Sequence, residues 1–502
     1  MDDFPQLAVD RQLSRPLVDQ LTTSLRESIL TGAMRPGDAL PASRALAATL
    51  ALSRSVVVAA YERLVGEGYL ESRQGAGTRV VGELPDWGLE RAGAGASLER
   101  APALAAPALP QVDGLPTVLG AGGGAPPIDL LPGRPFVAAQ PPREWVRALS
   151  RAARAPWRSD APEASGDPAL RLAIAAHARR SRGIDCDPDD VTVTTGTSEA
   201  LLIIALALRA LHGGAVAVAV EDPGYREGAL ALARAGSELV PLPVGSDGAT
   251  AEAVRSLADH RALAALMLTP SHQFPLGGRI PAAERHALVA WARESGAIII
   301  EDDYDSEFRH AGAVLPAMAS LDRGGRIVHV TTLNKILSPS IRCGAIVLGN
   351  DPDASALREA VAEVRRDLGP TVPQMMQTAL AEFLDGGGFR REIGRTRREY
   401  RHRRELLLAE CRVRGLEVSG DAGGLHVRVP LPAGRRGEDV VRELAERGVL
   451  VDRLHAYRIA GNDGDPGTDG DPGSDGILVG YGAETVPRLL RGVAQIAEVI
   501  WA

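Results

Sequence analysis

The chain has 502 residues, enough for about three folding units at roughly 150 residues each. Hydrophobic residues make up 45% of the sequence and charged residues 24%, a balance typical of a folded globular protein rather than a disordered chain. The formal net charge of -8 argues against a basic nucleic-acid coat. It does not exclude a small DNA-binding module, because such modules act through local patches of charge.

The three cysteines, Cys186, Cys343 and Cys411, lie far apart and form no CxxC pair. This spacing predicts neither a disulfide framework nor a metal site, and it favours a reducing compartment. The first residues, MDDFPQLAVD, are acidic and lack the apolar core of a signal peptide. The longest apolar run, LLIIALAL at 201–208, is too short to cross a bilayer. We therefore expect a cytoplasmic protein with no membrane contact.

One feature of the composition points to chemistry. Lys335 is the only lysine, and the other 55 of the 56 basic side chains are arginines. Arginine supplies positive charge but cannot replace lysine where a primary amine must lose its proton and attack a carbonyl. Either a coding bias removed lysine and one survived by chance, or Lys335 is kept for its amine. The residues around Lys335 in the sequence have to distinguish these two explanations.

Residues 11–82 have the pattern of three helices followed by a hairpin. Apolar residues recur every four positions in SRPLVDQLTTSLRESILTG. ALPASRALAATLA predicts a short second helix capped by Ser43, and SRSVVVAAYERLVGEGY a third helix capped by Ser53. YLESRQGAGTRVV predicts two short strands about a glycine turn. This order is typical of a winged helix-turn-helix, whose second core helix enters the major groove of DNA.

Hydroxyls, guanidinium groups and free backbone N–H groups at helix starts can meet phosphates. The charge balance alone does not establish DNA binding, because residues 1–82 hold nine arginines and nine acidic residues. The alternative is a small helical dimerisation domain. The candidate DNA contacts are Arg44, Ser53, Arg54 and Ser55 at the helix starts, and Arg73 and Arg79 beside the wing tip.

Two segments show low complexity. Residues 83–127 are rich in Ala, Gly and Pro and have no period of 2 or 3.6, which predicts a flexible to semi-extended linker. NDGDPGTDGDPGSDG at 462–476 repeats DGDPG. Aspartates spaced by glycines can bind calcium, but a single tract of this kind is more typical of a solvated surface loop. We expect no metal site there.

From residue 128 to 502, strands and helices alternate. VTVTTG, AVAVAV, ALAALMLT, AIIIED and RIVHVTT are short apolar runs typical of strands buried on both faces. The alternation predicts an α/β domain with a mainly parallel sheet and helices on both faces. From about 381 to 502, a basic helix (FRREIGRTRREYRHRR) and mixed segments predict a smaller α+β subdomain. The arginines of that helix predict a solvated face, with a contact to DNA as the alternative.

The residues that could carry chemistry follow strands of this α/β domain. Lys335 comes just after RIVHVTT, with Thr332 three residues before it and Arg342 seven after it. A lysine that forms a Schiff base with a phosphorylated aldehyde needs a hydroxyl and an arginine nearby to hold the phosphate. Thr197 and Ser198, in TTGTSEA, lie between a strand and a helix, where backbone N–H groups bind anions.

Three more side chains suit a flat ring that contains nitrogen. Asp302, in EDDYDSEF at the carboxyl end of a strand, can keep a pyridine nitrogen protonated. Tyr304 can donate to a ring oxygen, and Tyr225, in EDPGY, offers a face for stacking. The joint order of these motifs around the single lysine predicts one ligand site.

The sequence resembles two families in succession. The string from PLVDQL to GAGTRVV is similar over its whole length to the winged helix of GntR-family transcription regulators. That resemblance implies that Arg44, Arg54, Gly75 and Gly77 lie at the DNA face. From about 128 to the C-terminus, TTGTSEA, EDPGY, TPSHQFPLGG, EDDYDSEF and TTLNKILSPSIRCG resemble fold-type I pyridoxal-phosphate aminotransferases. The fusion resembles the MocR-type (GabR- and PdxR-like) regulators.

The second resemblance implies roles toward pyridoxal 5'-phosphate. Lys335 would form the Schiff base, Asp302 would pair with the ring nitrogen and Tyr304 would meet the ring hydroxyl, and these are the implied catalytic residues. Tyr225 would stack on the ring, and Gln273, in TPSHQFPLGG, would place an amide near the ring oxygen. The implied phosphate ligands are Thr197, Ser198, Thr332 and Arg342.

Several positions depart from the family pattern. Asn334 stands before the lysine where serine is usual, and Phe136 stands where aspartate is usual. Leu478, in ILVGYG, occupies the place at which many aminotransferases have the arginine that holds a substrate carboxylate. Arg453 and Arg458 are nearby candidates for that role. These departures leave cofactor binding intact and argue against efficient transamination.

The main hypothesis is a transcription regulator that binds operator DNA near its own or neighbouring genes. Its aminotransferase-like domain would sense an amino acid, an amine or pyridoxal phosphate itself through the Schiff base at Lys335. The alternative is a working aminotransferase that carries a DNA-binding module, and a third hypothesis is a DNA-binding scaffold without cofactor. Because the active sites of this fold lie at a dimer interface, the resemblance also implies a homodimer.

Overall fold

The computed structural model describes most of the chain on both sides of the predicted linker. Nearly all of the linker at 83–127 lies outside the described residues, as do Gly75 and most of the repeat at 462–476. The described residues are 9, 16–30, 33–67, 69–73, 77–81, 126–138, 140–156, 159–309, 316–349, 351–420, 423–459 and 475–502.

The N-terminal part is a winged helix, which confirms the prediction. Its helices are α1 (Leu17–Leu30), α2 (Ser43–Thr49) and α3 (Arg54–Gly66), and β1 (Leu70–Arg73) pairs antiparallel with β2 (Gly77–Val80) to form the wing. The four-residue apolar spacing of α1 buries one face of that helix against α3. The fully buried side chains of this core are Leu21, Leu25, Val57, Ala60, Leu64 and Val80.

The starts of α2 and α3 differ. Ser53 caps α3 as predicted, since its hydroxyl accepts a hydrogen bond from the backbone N–H of Val56 at 3.4 Å. The prediction that Ser43 caps α2 is wrong by one position. Ser43 is the first helical residue, and Ala42 before it offers no side-chain cap. The two helices meet at 120°, which is the bend of a helix-turn-helix.

A seven-stranded sheet forms the centre of the second part. Its order is β4-β10-β9-β8-β7-β5-β6, and every pair from β9 to β6 is parallel, whereas β10 runs antiparallel to both of its neighbours. This arrangement confirms a mainly parallel sheet, although neither β6 nor β10 was predicted from the sequence. The strands of this sheet are β4 (Val191–Thr194), β5 (Ala217–Asp222), β6 (Glu238–Pro243), β7 (Ala265–Leu268), β8 (Ile298–Asp303), β9 (Ile327–Thr332) and β10 (Gly344–Leu348). The short strand β3 (Ile128–Asp129) precedes them and belongs to a different sheet.

Helices cover both faces of this sheet, as predicted. Side chains alternate along each strand, so that Ile299 belongs to one apolar cluster while Ile298 and Ile300 belong to another. Helices α6, α7 and α10 pack on the second cluster, and α5 and α9 on the first. The helices are α4 (Arg143–Arg154), α5 (Pro168–Arg182), α6 (Thr197–His212), α7 (Arg226–Arg234), α8 (Ala251–Ala258), α9 (Ala282–Ser295), α10 (Ser355–Leu368) and α11 (Gln374–Asp385).

The C-terminal residues add a smaller α+β unit. Strands β11, β14 and β13 form an antiparallel sheet, and β12 pairs in parallel with β3, so that the 128–129 strand joins this unit. Arg390, Arg391, Arg398 and Arg401 of the basic helix α12 are exposed. The elements are α12 (Gly388–Val413), β11 (His426–Pro430), α13 (Gly437–Glu446), β12 (Val449–Leu450), β13 (Asp452–Arg453), β14 (Gly476–Gly480) and α14 (Val486–Trp501).

The winged helix touches the larger part at α9. The Nε2 of His286 donates to the backbone oxygen of Glu67 at 3.1 Å, and the His286 ring meets the Tyr69 ring edge-on. Burial lowers the pKa of His286 to about 4, so this ring is neutral at physiological pH. Within the described part of the chain, no single helix combines the length and apolarity needed to cross a membrane. Helices α2 and α3 meet that criterion only together, as a bent pair.

Candidate functional site

The ligand motifs meet at one edge of the large sheet. Strands β5, β8 and β9 end there, and β10, which runs the opposite way, begins there. A cavity of about 320 Å³ opens at this edge, the size of a small-molecule site. All the predicted cofactor residues except Gln273 line it, namely Lys335, Asp302, Tyr304, Tyr225, Thr197, Ser198, Thr332 and Arg342.

The amine of Lys335 lies inside this cavity. The residue follows β9 and donates a hydrogen bond to the backbone oxygen of Gly133. Burial lowers the pKa of Lys335, and the carboxylates of Asp305 and Asp302 oppose that change. A depressed pKa leaves a larger fraction of the amine neutral, which is the form that attacks a carbonyl.

Asp302 stands at the carboxyl end of β8 and is buried. Burial raises the pKa of Asp302 to about 7, with a further rise from Asp303, while the Thr197 hydroxyl, which donates to Asp302 Oδ1 at 3.3 Å, opposes the change. Lys335 also opposes it. A buried carboxyl with so little compensation is well suited to a cationic partner such as a protonated ring nitrogen.

The start of α6 forms an anion cradle. Gly196 precedes the helix at φ +137°, and a Cβ there would lie 3.2 Å from the Asn334 amide nitrogen. The helix N-terminus has no side-chain cap, so its first N–H groups are available to an anion. Ser198 is exposed to the cavity, and Arg342 is held at φ +50°, a conformation that costs energy in a non-glycine residue. A phosphate fits this combination of donors and charge.

Two tyrosines and a phenylalanine form the aromatic wall. Tyr225 meets Phe274 edge-on, with ring centroids 6.2 Å apart, and Phe274 meets Tyr304 in the same way at 6.0 Å. Burial raises the pKa of Tyr304 well above its ordinary value, so its hydroxyl remains a hydrogen-bond donor at physiological pH.

Gln273 does not face the cavity, contrary to the prediction. Its amide nitrogen donates to the backbone oxygens of Pro223 and Phe274, and its amide oxygen accepts from the N–H of Leu276. The buried side chain therefore satisfies the loop backbone and has no donor left for a ring oxygen. The next residue, Phe274, lines the cavity instead.

The part of the cavity that would receive a substrate carboxylate offers no arginine from the predicted positions. Leu478 is fully buried in an apolar cluster with Phe274 and Tyr457. Arg453 lies 3.3 Å from the carboxylate of Glu438, and neither Arg453 nor Arg458 lines the cavity.

Several lining residues were not predicted. Asn334 was noted only as a departure from serine, yet its amide oxygen accepts from Cys343 N–H and its nitrogen faces the anion cradle. Arg134 lines the cavity and pairs with Asp129 at 2.9 Å. The positions of Asn334 beside the lysine, and of Thr269 and Phe274 within TPSHQFPLGG, were usable signals, whereas the other positions lay outside the quoted motifs. The unpredicted polar or aromatic residues are Arg134, Glu227, Thr269, Phe274, Asn334, Asp452 and Tyr457.

The predicted DNA-contacting residues lie on one part of the winged helix. Arg44, Ser53, Arg54 and Ser55 are exposed at the starts of α2 and α3, and the Arg54 Nε donates to Ser43 Oγ at 3.3 Å. On the wing, Gly77 and Arg79 are exposed, whereas Gly75 and the side chain of Arg73 lie outside the described residues.

Comparisons with known proteins identify both parts. Residues 130–465 match the family "Aminotransferase class I and II", and residues 17–80 match "Bacterial regulatory proteins, gntR family". The chain is 34% identical over 504 residues to the HTH-type pyridoxine biosynthesis transcriptional regulator PdxR of Corynebacterium glutamicum, with 99% of each chain covered. It is 36% identical over 419 residues to the probable rhizopine catabolism regulatory protein MocR of Rhizobium meliloti, which covers 81% of this chain and 79% of that one.

An archaeal alanine:glyoxylate aminotransferase has the same fold in the second part of the chain. The two structures superpose with a TM-score of 0.65 at 22% identity, over 75% of this chain and 91% of that one. Together with the aminotransferase family match, this likeness indicates that the second part binds pyridoxal 5'-phosphate.

Asp302→Asn is expected to change how the stability of the cofactor-free protein depends on pH. The pKa of Asp302 is about 7 in the folded chain and roughly 4 in the unfolded chain, so the unfolding free energy falls as pH rises between these values. The variant lacks that fall. It should exceed the native chain in unfolding free energy by about 4 kcal/mol at pH 8 and by little at pH 4.

Denaturant unfolding at several pH values measures this difference. The exposed Asp367 provides the matched control, since Asp367→Asn should show no such divergence. Equal stability differences for Asp302→Asn at pH 4 and pH 8 would contradict the assignment of Asp302 as a buried, uncompensated acid.

Proposed function

We propose that this chain, which belongs to the MocR-type family of transcription regulators, holds pyridoxal 5'-phosphate at Lys335 and senses its effector there. The observation that supports this most directly is the partly buried amine of Lys335 in a cavity that also contains the buried acid Asp302. The effector is an amine, an amino acid or the cofactor itself.

When bound, pyridoxal phosphate supplies an aldehyde that condenses with amines and a ring that withdraws electrons. Lys335 contributes the amine, and Asp302 holds a proton on the ring nitrogen. Tyr304 donates to the ring oxygen, and Tyr225 contacts the ring face. The phosphate is held by the N–H groups of α6 and by the side chains of Thr197, Ser198, Thr332, Asn334 and Arg342.

Thr197 has two roles in this assignment. Its hydroxyl donates to Asp302, while its backbone N–H opens α6 at the phosphate cradle. The residue therefore links the two ends of the cofactor. Thr332 stabilises the anion cradle, since its hydroxyl accepts a hydrogen bond from the N–H of Asn334 at 3.2 Å.

Weak or absent transamination follows from Leu478 and Arg134. Leu478 offers no charge to a carboxylate, and Arg134 is already paired with Asp129. Neither residue therefore provides a free positive charge that could bind a substrate carboxylate. Turnover requires a substrate that is held in one orientation. We therefore favour a sensor over the alternative, a working aminotransferase.

A sensor must bind its effector with different affinity in two conformations, since equal affinity shifts no equilibrium. The small C-terminal unit contributes Asp452 and Tyr457 to the cavity, and the strand β3 joins it to the start of the large domain. An effector that contacts this unit and the large sheet at once can favour one arrangement of the two.

The DNA partner is an operator near the gene for this protein or its neighbours, and the protein acts in the cytoplasm as a homodimer. Three aliphatic side chains on neighbouring helices support a second copy as partner. Leu172, Leu368 and Met375 are each about half exposed. Apolar side chains exposed to this extent are often covered in an assembly.

Lys335→Ala is expected to abolish the visible absorption of the protein purified with pyridoxal phosphate. The reason is that no other lysine can form the covalent link. Borohydride reduction of the native holoprotein should add the cofactor mass to the peptide that contains Lys335. Lys335→Arg serves as the control that keeps charge without a reactive amine. Retained colour in either variant would refute the assignment.

Arg54→Ala is expected to weaken operator binding by roughly tenfold to hundredfold, because one well-placed arginine contact contributes about 1–3 kcal/mol. Gel retardation with the upstream region of the gene measures this loss. Arg255→Ala, an exposed arginine on α8, is the matched control and should bind as the native protein does. Unchanged binding by Arg54→Ala would remove α3 as the recognition helix.

Mixing the holoprotein with a panel of amines, amino acids and 2-oxo acids should identify the effector. We expect one class to change the visible spectrum and the operator affinity together, with no more than a single half-reaction. Sustained turnover with an amino acid and a 2-oxo acid would instead establish the aminotransferase alternative.

A further inference from the structure

A buried histidine lies behind the tyrosine of the cavity wall. The hydroxyl of Tyr304 is 2.8 Å from His272 Nδ1 and donates to the backbone oxygen of His272 at 3.2 Å. The Oδ2 of Asp305 is 2.9 Å from the same Nδ1. His272 is 4% exposed and Asp305 2%. A single ring nitrogen, which carries one hydrogen or none, therefore faces both a phenol and a carboxylate.

The ring of His272 is held in place by its surroundings. Gly424 has φ +73°, and a Cβ built there would lie 1.9 Å from the His272 Cε1, so only a glycine backbone packs against the ring at this point. On another side, the His426 ring lies 5.3 Å away between centroids, and its Nε2 donates to the backbone oxygen of Pro275. The Nδ1 of His272 thus stays directed at Tyr304 and Asp305.

We propose that Asp305, acting through His272, is a positioning residue that keeps the hydroxyl hydrogen of Tyr304 off His272 Nδ1 and so available to an acceptor in the cavity. With a hydrogen on Nδ1, His272 donates to the Asp305 carboxylate in a charge-assisted bond. Its Nδ1 then has no lone pair for the phenol. Tyr304 keeps its hydrogen for an oxygen acceptor, which is the backbone oxygen of His272 in this structure and, under the proposed function, the ring oxygen of the bound cofactor.

The opposite tautomer would have the opposite effect. With the hydrogen on Nε2, the Nδ1 of His272 would accept the Tyr304 hydrogen and turn it away from the cavity. The carboxylate of Asp305 favours the first tautomer, because it stabilises a hydrogen on Nδ1. The Oδ2 of Asp305 lies within hydrogen-bond distance of Nδ1 and can accept this hydrogen.

The charges around this cluster keep Tyr304 neutral. Burial raises the pKa of Tyr304 well above its ordinary value, and Asp305 adds to that rise. Burial lowers the pKa of His426 to about 3, so this neighbouring ring is uncharged. The other titratable groups that act on the two sides of the cluster are Glu221, Asp302 and Lys335.

The test is the pH titration of the visible absorption band of the holoprotein. A donor to the ring oxygen stabilises the deprotonated form of the lysine-linked cofactor and lowers its pKa. Asp305→Leu fills the space without offering an acceptor for Nδ1–H. The variant should therefore lose the Tyr304 donation, and the titration midpoint should rise by about one pH unit.

A direct charge effect of Asp305 has the opposite sign. Removal of a nearby carboxylate favours the deprotonated form, so the midpoint would fall. Asp305→Asn separates the two explanations further. Its amide oxygen can still accept from Nδ1–H, so we expect a smaller rise than with Asp305→Leu, whereas the direct effect predicts an equal fall in both variants. A fall or an unchanged midpoint in Asp305→Leu overturns the proposal.

Double variants test whether the effect passes through the named atoms. In a Tyr304→Phe background, Asp305→Leu should raise the midpoint no further, because there is no hydroxyl left to direct. In a His272→Leu background it should also have no effect, since the competing Nδ1 is gone. An additional rise of the same size in either background contradicts the relay.

This inference rests on the proposed function, and the two fail differently. If the native protein shows no visible band with pyridoxal phosphate, the proposed function fails. If the band is present and the Asp305→Leu midpoint does not rise, the proposed function stands and only the role of Asp305 and His272 is refuted.

Discussion

Burial acts on an amine and a carboxyl group in the same small cavity, and the rest of the site depends on that constraint. Lys335 follows β9 and Asp302 ends β8, and these strands are parallel neighbours in which Asp302 pairs with Val330. Burial favours the neutral form of both groups. A ligand with a carbonyl for the amine and a basic ring nitrogen for the acid satisfies both at once.

Much of this arrangement could be predicted from the sequence, because it depends on where strands end. The parallel strands begin with apolar residues, so the polar residues at and just beyond their carboxyl ends were conspicuous, as with Asp302 and Lys335. The strands β6 and β10 were harder to predict. Pro241 and Pro243 lie within β6, whose residues are mostly half-buried, and β10 is a five-residue run that begins at Gly344, the last residue of the lysine motif.

The direction in which a loop side chain points could not be predicted from the sequence in this way. Gln273 and Phe274 are adjacent, and one bonds to the loop backbone while the other lines the cavity. Loops have no fixed period, unlike strands, so a shift of one position exchanges an amide for an aromatic ring. The same limit applies to Asp452 and Tyr457, which reach the cavity from a different subdomain and share no motif with Lys335.

Two adjacent residues of helix α9, Arg285 and His286, contact different parts of the protein. Arg285 is buried and donates to the backbone oxygens of Pro270 and Ile280, at the two ends of the loop that places Phe274 in the cavity wall. Its neighbour His286 donates to the backbone of Glu67 in the winged helix. A displacement of that loop therefore acts on a helix that the winged helix also contacts. Consecutive residues of one packed helix thus hold both this loop and the winged helix.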